Sequence, residues 1–86
     1  MKEIILDNKE RELVARAREA GFKDWSYRSW RTTRKTRRHG MEEYSLTKSI
    51  ANDGEWSFVQ KFSDGTRVKT TTCELGYLIF VMDKMA

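Results

Sequence analysis

Apolar residues near the start of the chain recur at helical spacing, with Leu13, Val14, Ala17 and Ala20 on a narrow stripe. Lys9, Arg11, Glu12, Arg16, Arg18 and Glu19 fall outside it, so this element can pack by one face only. Asp7 followed three residues later by Glu10 is the spacing of a capping box, and Gly21 supplies a left-handed stop. Together they predict a helix over residues 8 to 20.

From Trp25 to about Arg34 the composition turns to Trp, Tyr, Ser and Thr, which favour extended structure. A first strand is expected here, with a helix capped by Asp24 as the alternative. Lys35-Thr36-Arg37-Arg38-His39-Gly40 then reads as an exposed loop ending in glycine.

Three strand-like runs follow, Tyr44 to Ala51, Glu55 to Phe62 and Thr66 to Thr72, separated by Asn52-Asp53-Gly54 and Ser63-Asp64-Gly65. Two successive Asp-Gly turns predict an antiparallel meander. If each turn held two residues, the apolar side chains would be split between both faces. With three-residue turns and a left-handed glycine, Ala51 pairs with Glu55 and Phe62 with Thr66. Tyr44, Leu46, Ile50, Trp56, Phe58, Phe62 and Val68 then share one face, with Lys48 and Gln60 as polar intruders. A slip of one residue inverts every side chain, so the register that gathers an apolar face is the expected one. The other face then carries Ser45, Thr47, Ser49, Ser57, Val59, Lys61, Arg67, Lys69 and Thr71, and it sets Lys61 opposite Arg67.

Near the end, Thr71 and Glu74 repeat the capping-box spacing, and Leu75, Leu78, Ile79, Met82 and Met85 form a helical stripe. A helix over residues 74 to 85 is expected; the alternative is a buried terminal strand over 77 to 82 after a turn at Gly76. In the helix, Tyr77, Phe80 and Val81 lie off the stripe and call for cover from the first helix, a second copy of the chain in a homodimer, or a partner.

Composition bounds the architecture. The chain has 86 residues, 38% hydrophobic and 35% charged, without proline, which is too apolar for a disordered tail and too polar for a membrane span. One small domain over residues 1–86 is expected, an α+β fold in which helix, antiparallel meander of three to four strands and helix follow one another. The same order of elements occurs in double-stranded RNA-binding domains and small single-strand-binding proteins, an analogy of order alone. A single cysteine, Cys73, allows no intramolecular bridge. The apolar runs at Ile4 to Leu6 and Leu75 to Met82 are too short for a signal core or a bilayer crossing. The expectation is a cytoplasmic protein that engages no membrane.

Charge changes the picture more. The net charge is +4, yet residues 23–40 hold seven Lys and Arg against Asp24 alone, while the remainder holds 10 basic and 12 acidic residues. The positive excess therefore belongs to one segment, where Arg28, Arg31, Arg34, Lys35, Arg37 and Arg38 are interleaved with Trp25, Tyr27 and Trp30. Arginine forks match phosphate oxygens and aromatic faces stack on bases. The expected function is a non-enzymatic module gripping a DNA or RNA backbone through this segment, supported by Lys61, Arg67 and Lys69 on the sheet. The alternative is a small protein-binding regulator or inhibitor, of phage or mobile-element type, docking on an acidic protein surface.

Catalytic signals are sparse. His39 and Cys73 form no metal-ligand pattern, and there is no Gly-rich phosphate loop or nucleophile elbow, so no metal or cofactor is expected. Asp53 and Asp64 each precede glycine, where turn chemistry accounts for them. A small ribonuclease using His39 and its neighbouring arginines is the one catalytic alternative.

Overall fold

The computed structural model describes residues 4–38 and 40–86; His39, and with it the ribonuclease alternative, lies outside them. The architecture is α+β: helix α1 (Asn8–Glu19), strands β1 (Lys23–Ser26), β2 (Ser29–Thr36), β3 (Gly40–Lys48), β4 (Trp56–Lys61) and β5 (Arg67–Thr72), and helix α2 (Leu75–Met85). The strands form one antiparallel meander in chain order, with both helices packed on the same face.

Helix α1 starts as expected. The Glu10 amide donates to Asp7 Oδ1 at 2.8 Å, and the Asp7 amide returns a bond to Glu10 Oε1 at 3.1 Å. At its other end Gly21 takes φ +99°, and the Phe22 and Gly21 amides bond back to the Ala17 and Arg18 carbonyls at 3.0 Å. This is a Schellman closure, and the chain leaves it with Phe22 buried.

The sheet has five strands where three to four were expected, because the run over 25–34 is two strands and not one. Tyr27 and Arg28 form a hairpin turn, and Ser26 and Ser29 on its flanks share a hydroxyl hydrogen bond of 2.7 Å. That bond, together with a bulge in β1, folds the hydroxyl-rich stretch back on itself. The segment expected as a loop extends β2 to Thr36 and begins β3 at Gly40.

The β4–β5 turn has the expected register, Phe62 bonding to Thr66 and Gly65 left-handed at φ +92°. The β3–β4 connection does not. Lys48 pairs with Trp56 and Ser49 bonds Glu55, so Glu55 meets Ser49 and not Ala51, a register displaced by two residues. The Ser49 amide still bonds the Glu55 carbonyl at 2.9 Å, and beyond it Ser49 Oγ accepts the Ala51 and Asn52 amides at 3.2 and 3.1 Å, which satisfies the longer loop locally. A shift of two preserves the faces, so Tyr44, Leu46, Trp56 and Phe58 are buried as expected, whereas Ile50 leaves the sheet and is 71% exposed.

The C-terminal segment is helix α2 and not the alternative strand. Its cap differs from the expected one: Thr71 belongs to β5, its hydroxyl 3.3 Å from that of Ser57, and the Glu74 amide is taken by Thr72 Oγ1 at 2.9 Å. Arg16 bonds Asp83 at 2.7 Å, tying α1 to α2. Between helices and sheet lie Leu13, Ala17, Leu46, Trp56, Leu78 and Met82, all essentially inaccessible. No helix among the described residues is long and apolar enough to cross a membrane.

Candidate nucleic-acid interface

Alternation along the strands sends every second residue away from the helices. Cross-strand pairing then aligns these residues in rows. Thr33, Glu43, Lys61 and Arg67 form one row; Lys23, Arg31, Ser45, Val59 and Lys69 form the next. Beyond it, Ser29, Thr47, Ser57 and Thr71 form a row of hydroxyls. Successive rows are about 6.7 Å apart, and neighbouring strands about 4.8 Å. Neither helix covers this face.

Lys61 sits opposite Arg67 as expected, and its other cross-strand neighbour is Glu43, whose carboxylate lies 4.0 Å from Nζ. This single acidic residue partly offsets the like-charge pair. Lys23, Arg31, Lys35, Lys61, Arg67 and Lys69 are all exposed on this face. Arg37 and Arg38 are exposed in the adjoining β2–β3 turn. Eight cations thus gather around Glu43 on one side of the domain.

Trp25 is the extra residue of the β1 bulge: Asp24 pairs with Trp30 and Ser26 with Ser29, leaving Trp25 without a ladder partner. A bulge re-aims its side chain. The indole is 64% exposed and carries the Arg31 guanidinium 4.3 Å from its ring centroid, at one end of a hollow shared with Thr33, Ser45, Val59 and Lys61. Behind it, Arg18 holds Asp24 at 3.2 Å and fixes β1 against α1. Tyr27, in the hairpin turn, is partly exposed.

Three expected contact residues are used otherwise. Trp30 is a core residue, 4% exposed and stacked on Trp56 with centroids 5.6 Å apart. Arg34 has the opposite strand parity from Arg31 and turns toward the helices, where it donates to the Ala20 carbonyl at 3.2 Å and to that of Met85. Arg28 is half-buried and donates to the Lys48 carbonyl at 2.9 Å. Lys23 also belongs to this face; its place opposite Arg31 depends on the β1–β2 hairpin, which composition alone does not separate into two strands.

The buried charges serve the scaffold. Lys48 Nζ and Trp56 Nε1 both donate to Glu10 Oε2, the latter at 2.8 Å. Burial works to raise the Glu10 carboxyl, but Lys48, the Asp7 amide and Trp56 together hold it below its ordinary value. Burial and the neighbouring Glu42 push the Tyr44 phenol, which donates to that carboxylate, up to about 12. Among the described residues no group of three or more His, Cys, Asp or Glu is placed to hold a metal ion.

No family model matches the chain, and neither a curated protein nor a solved structure does so.

Proposed function

We propose that the protein is a non-enzymatic nucleic-acid-binding module whose open sheet face and β2–β3 turn grip the phosphate backbone. The observation that carries this reading is the segregation of charge: eight cations lie on a face the helices leave uncovered, against Glu43 within it and Asp24, held by Arg18, and Glu55 at its margins. Arg31, Lys61, Arg67 and Lys69 supply charge in two adjacent rows, and Arg37 and Arg38 extend it beyond the sheet. Hydroxyls between and beside the cations donate to phosphate oxygens, so register along the polymer comes from backbone contacts more than base edges.

Fluorescence anisotropy of nuclease-treated protein with labelled DNA and RNA across a salt series tests the reading. If about six phosphates are neutralised, log affinity falls with log salt with a slope near −5 on duplex DNA. A slope near zero, or no binding to any polymer, rejects the proposal.

A protein-docking role is the second reading, favoured by Tyr77 and Phe80, which stand more than half exposed on α2. A pull-down that retains one protein partner after nuclease treatment, from a chain that binds no nucleic acid, would select it.

A further inference from the structure

Resting on the backbone-gripping reading, we infer that the ligand is single-stranded RNA and that Trp25 is the platform for one of its unpaired bases. The chain has three tryptophans, and the fold divides them sharply: Trp30 and Trp56 stack on each other in the core at 4% and 0% exposure, while Trp25 stands 64% exposed. Burying a large indole stabilises a small domain by far more than leaving it in water, so an exposed one at a strand edge calls for a reason. The bulge at Trp25 supplies the local mechanism of its exposure, by removing the residue from the ladder and re-aiming it.

The Arg31 guanidinium lies over the indole at 4.3 Å from its centroid, and with that contact made Trp25 is still 64% exposed. A guanidinium packed on one side holds the ring in place and enriches its surroundings in positive charge. The exposed part of the indole accepts a flat aromatic group whose own phosphates fall beside Lys23 and Arg31, while Lys69 lies across the sheet for a phosphate farther along the strand. A continuous duplex keeps its bases stacked on one another and has none to offer, whereas a single strand presents them freely. The spacing of the cationic rows, about 6.7 Å, suits an extended strand whose phosphates are taken one by one.

The choice of RNA rests on the third row. Thr47, Ser57 and Thr71, with Ser45 in the adjoining row, place hydroxyls beside the cations on the same face. Each can donate to or accept from a ribose 2′-hydroxyl, the group that distinguishes RNA from DNA. Deoxyribose offers no such partner, and leaves Ser57 and Thr71 with only each other's hydroxyl at 3.3 Å.

The test titrates the whole chain with oligouridylate, the matching deoxy-oligomer, an abasic oligomer and a duplex RNA of equal length, reading anisotropy and tryptophan fluorescence together. Oligouridylate should bind most tightly and quench the fluorescence. Trp25→Ala should weaken oligouridylate binding by roughly tenfold or more, the worth of one stacked base, while leaving abasic binding unchanged. Trp25→Phe should restore most of the loss. Equal affinity for the abasic and base-bearing strands, or no effect of Trp25→Ala on salt-sensitive binding, would overturn the base platform and leave the backbone reading standing. Deoxy-oligomer bound as tightly as oligouridylate would overturn the assignment to RNA. Loss of salt-sensitive binding to all four polymers would remove both readings.

Discussion

Lys48 and Glu10 meet as an ion pair between the sheet and α1, on the apolar face where the alternating pattern leaves a lysine among aromatic residues. The Glu10 carboxylate has three tasks: it closes the capping box of α1, receives the Lys48 ammonium and accepts the Trp56 indole N–H. One carboxylate thereby sets the helix start, the end of β3 and the start of β4 relative to one another. Removing the ammonium leaves a buried charge with one cation fewer, a change that costs about 3–5 kcal/mol. Lys48→Met is expected to lower stability by that order, and Glu10→Gln with Lys48→Met by less than the sum of the two single changes, measured by urea denaturation.

The same pair gives the domain an acid limit. Glu10 is held below its ordinary carboxyl value in the fold, so the unfolded chain binds its proton first as pH falls. Its contribution is present above the unfolded value, about 4.3, and is lost as pH drops through the lower folded value. Thermal melts from about pH 6 down to about pH 3 should be level until about 4.3 and then show a decline that Glu10→Gln flattens.

The alkaline limit has the opposite sign. Tyr44 is neutral in the fold up to about 12, against about 10 for a free phenol, so the folded state retains the proton the unfolded chain loses. Its contribution is complete below the unfolded value and disappears as pH rises toward the folded one. Absorbance titration should assign one phenol to the upper value, and Tyr44→Phe should abolish that step.

How far the sequence announces this structure depends on the range over which each signal acts. The capping box at Asp7 and Glu10, the stop at Gly21 and the bulged turn at Gly65 are local, and each forms as its spacing predicts. The two sheet faces are legible for the same reason, because parity survives even the two-residue displacement of the β3–β4 register. Trp30 and Arg34 depart from the expectation because alternation within residues 25–34 does not say which parity faces the core; that is set by pairing with β1 and β3, and the turn at Tyr27 and Arg28 carries neither glycine nor proline to announce itself. Once that hairpin is known, Trp30 falls in line with Leu46 and Phe58, and Arg31 with Ser45 and Val59. The salt link of Lys61 to Glu43 likewise depends on pairing across strands distant in sequence.

Gly21 has the only φ in the helix-to-strand connection that an L side chain resists, and a Cβ there would also meet Thr32 Oγ1 at 3.7 Å, an ordinary contact. The cost of substitution is therefore conformational and not steric. Gly21→Ala is expected to destabilise the domain by about 1–2 kcal/mol without altering the open face, read as a shifted urea midpoint with unchanged polymer affinity.

Arg34 and the Lys61–Arg67 pair separate scaffold from grip. Arg34 donates to the Ala20 and Met85 carbonyls, at the C-terminal ends of both helices, where a cation complements the two dipoles. Arg34→Ala should cost about 1.5–3 kcal/mol of stability, the range for hydrogen bonds from a charged donor, and leave the salt slope as it was. Lys61→Glu with Arg67→Glu acts at two exposed side chains on the other face and should leave the melting transition in place. It should weaken binding across sequences and flatten the salt slope by about one for each phosphate contact removed. If the two sets of variants exchanged their effects, with Arg34→Ala flattening the slope and the double reversal leaving it untouched, the binding surface would have to be moved from the open sheet face to the helical side.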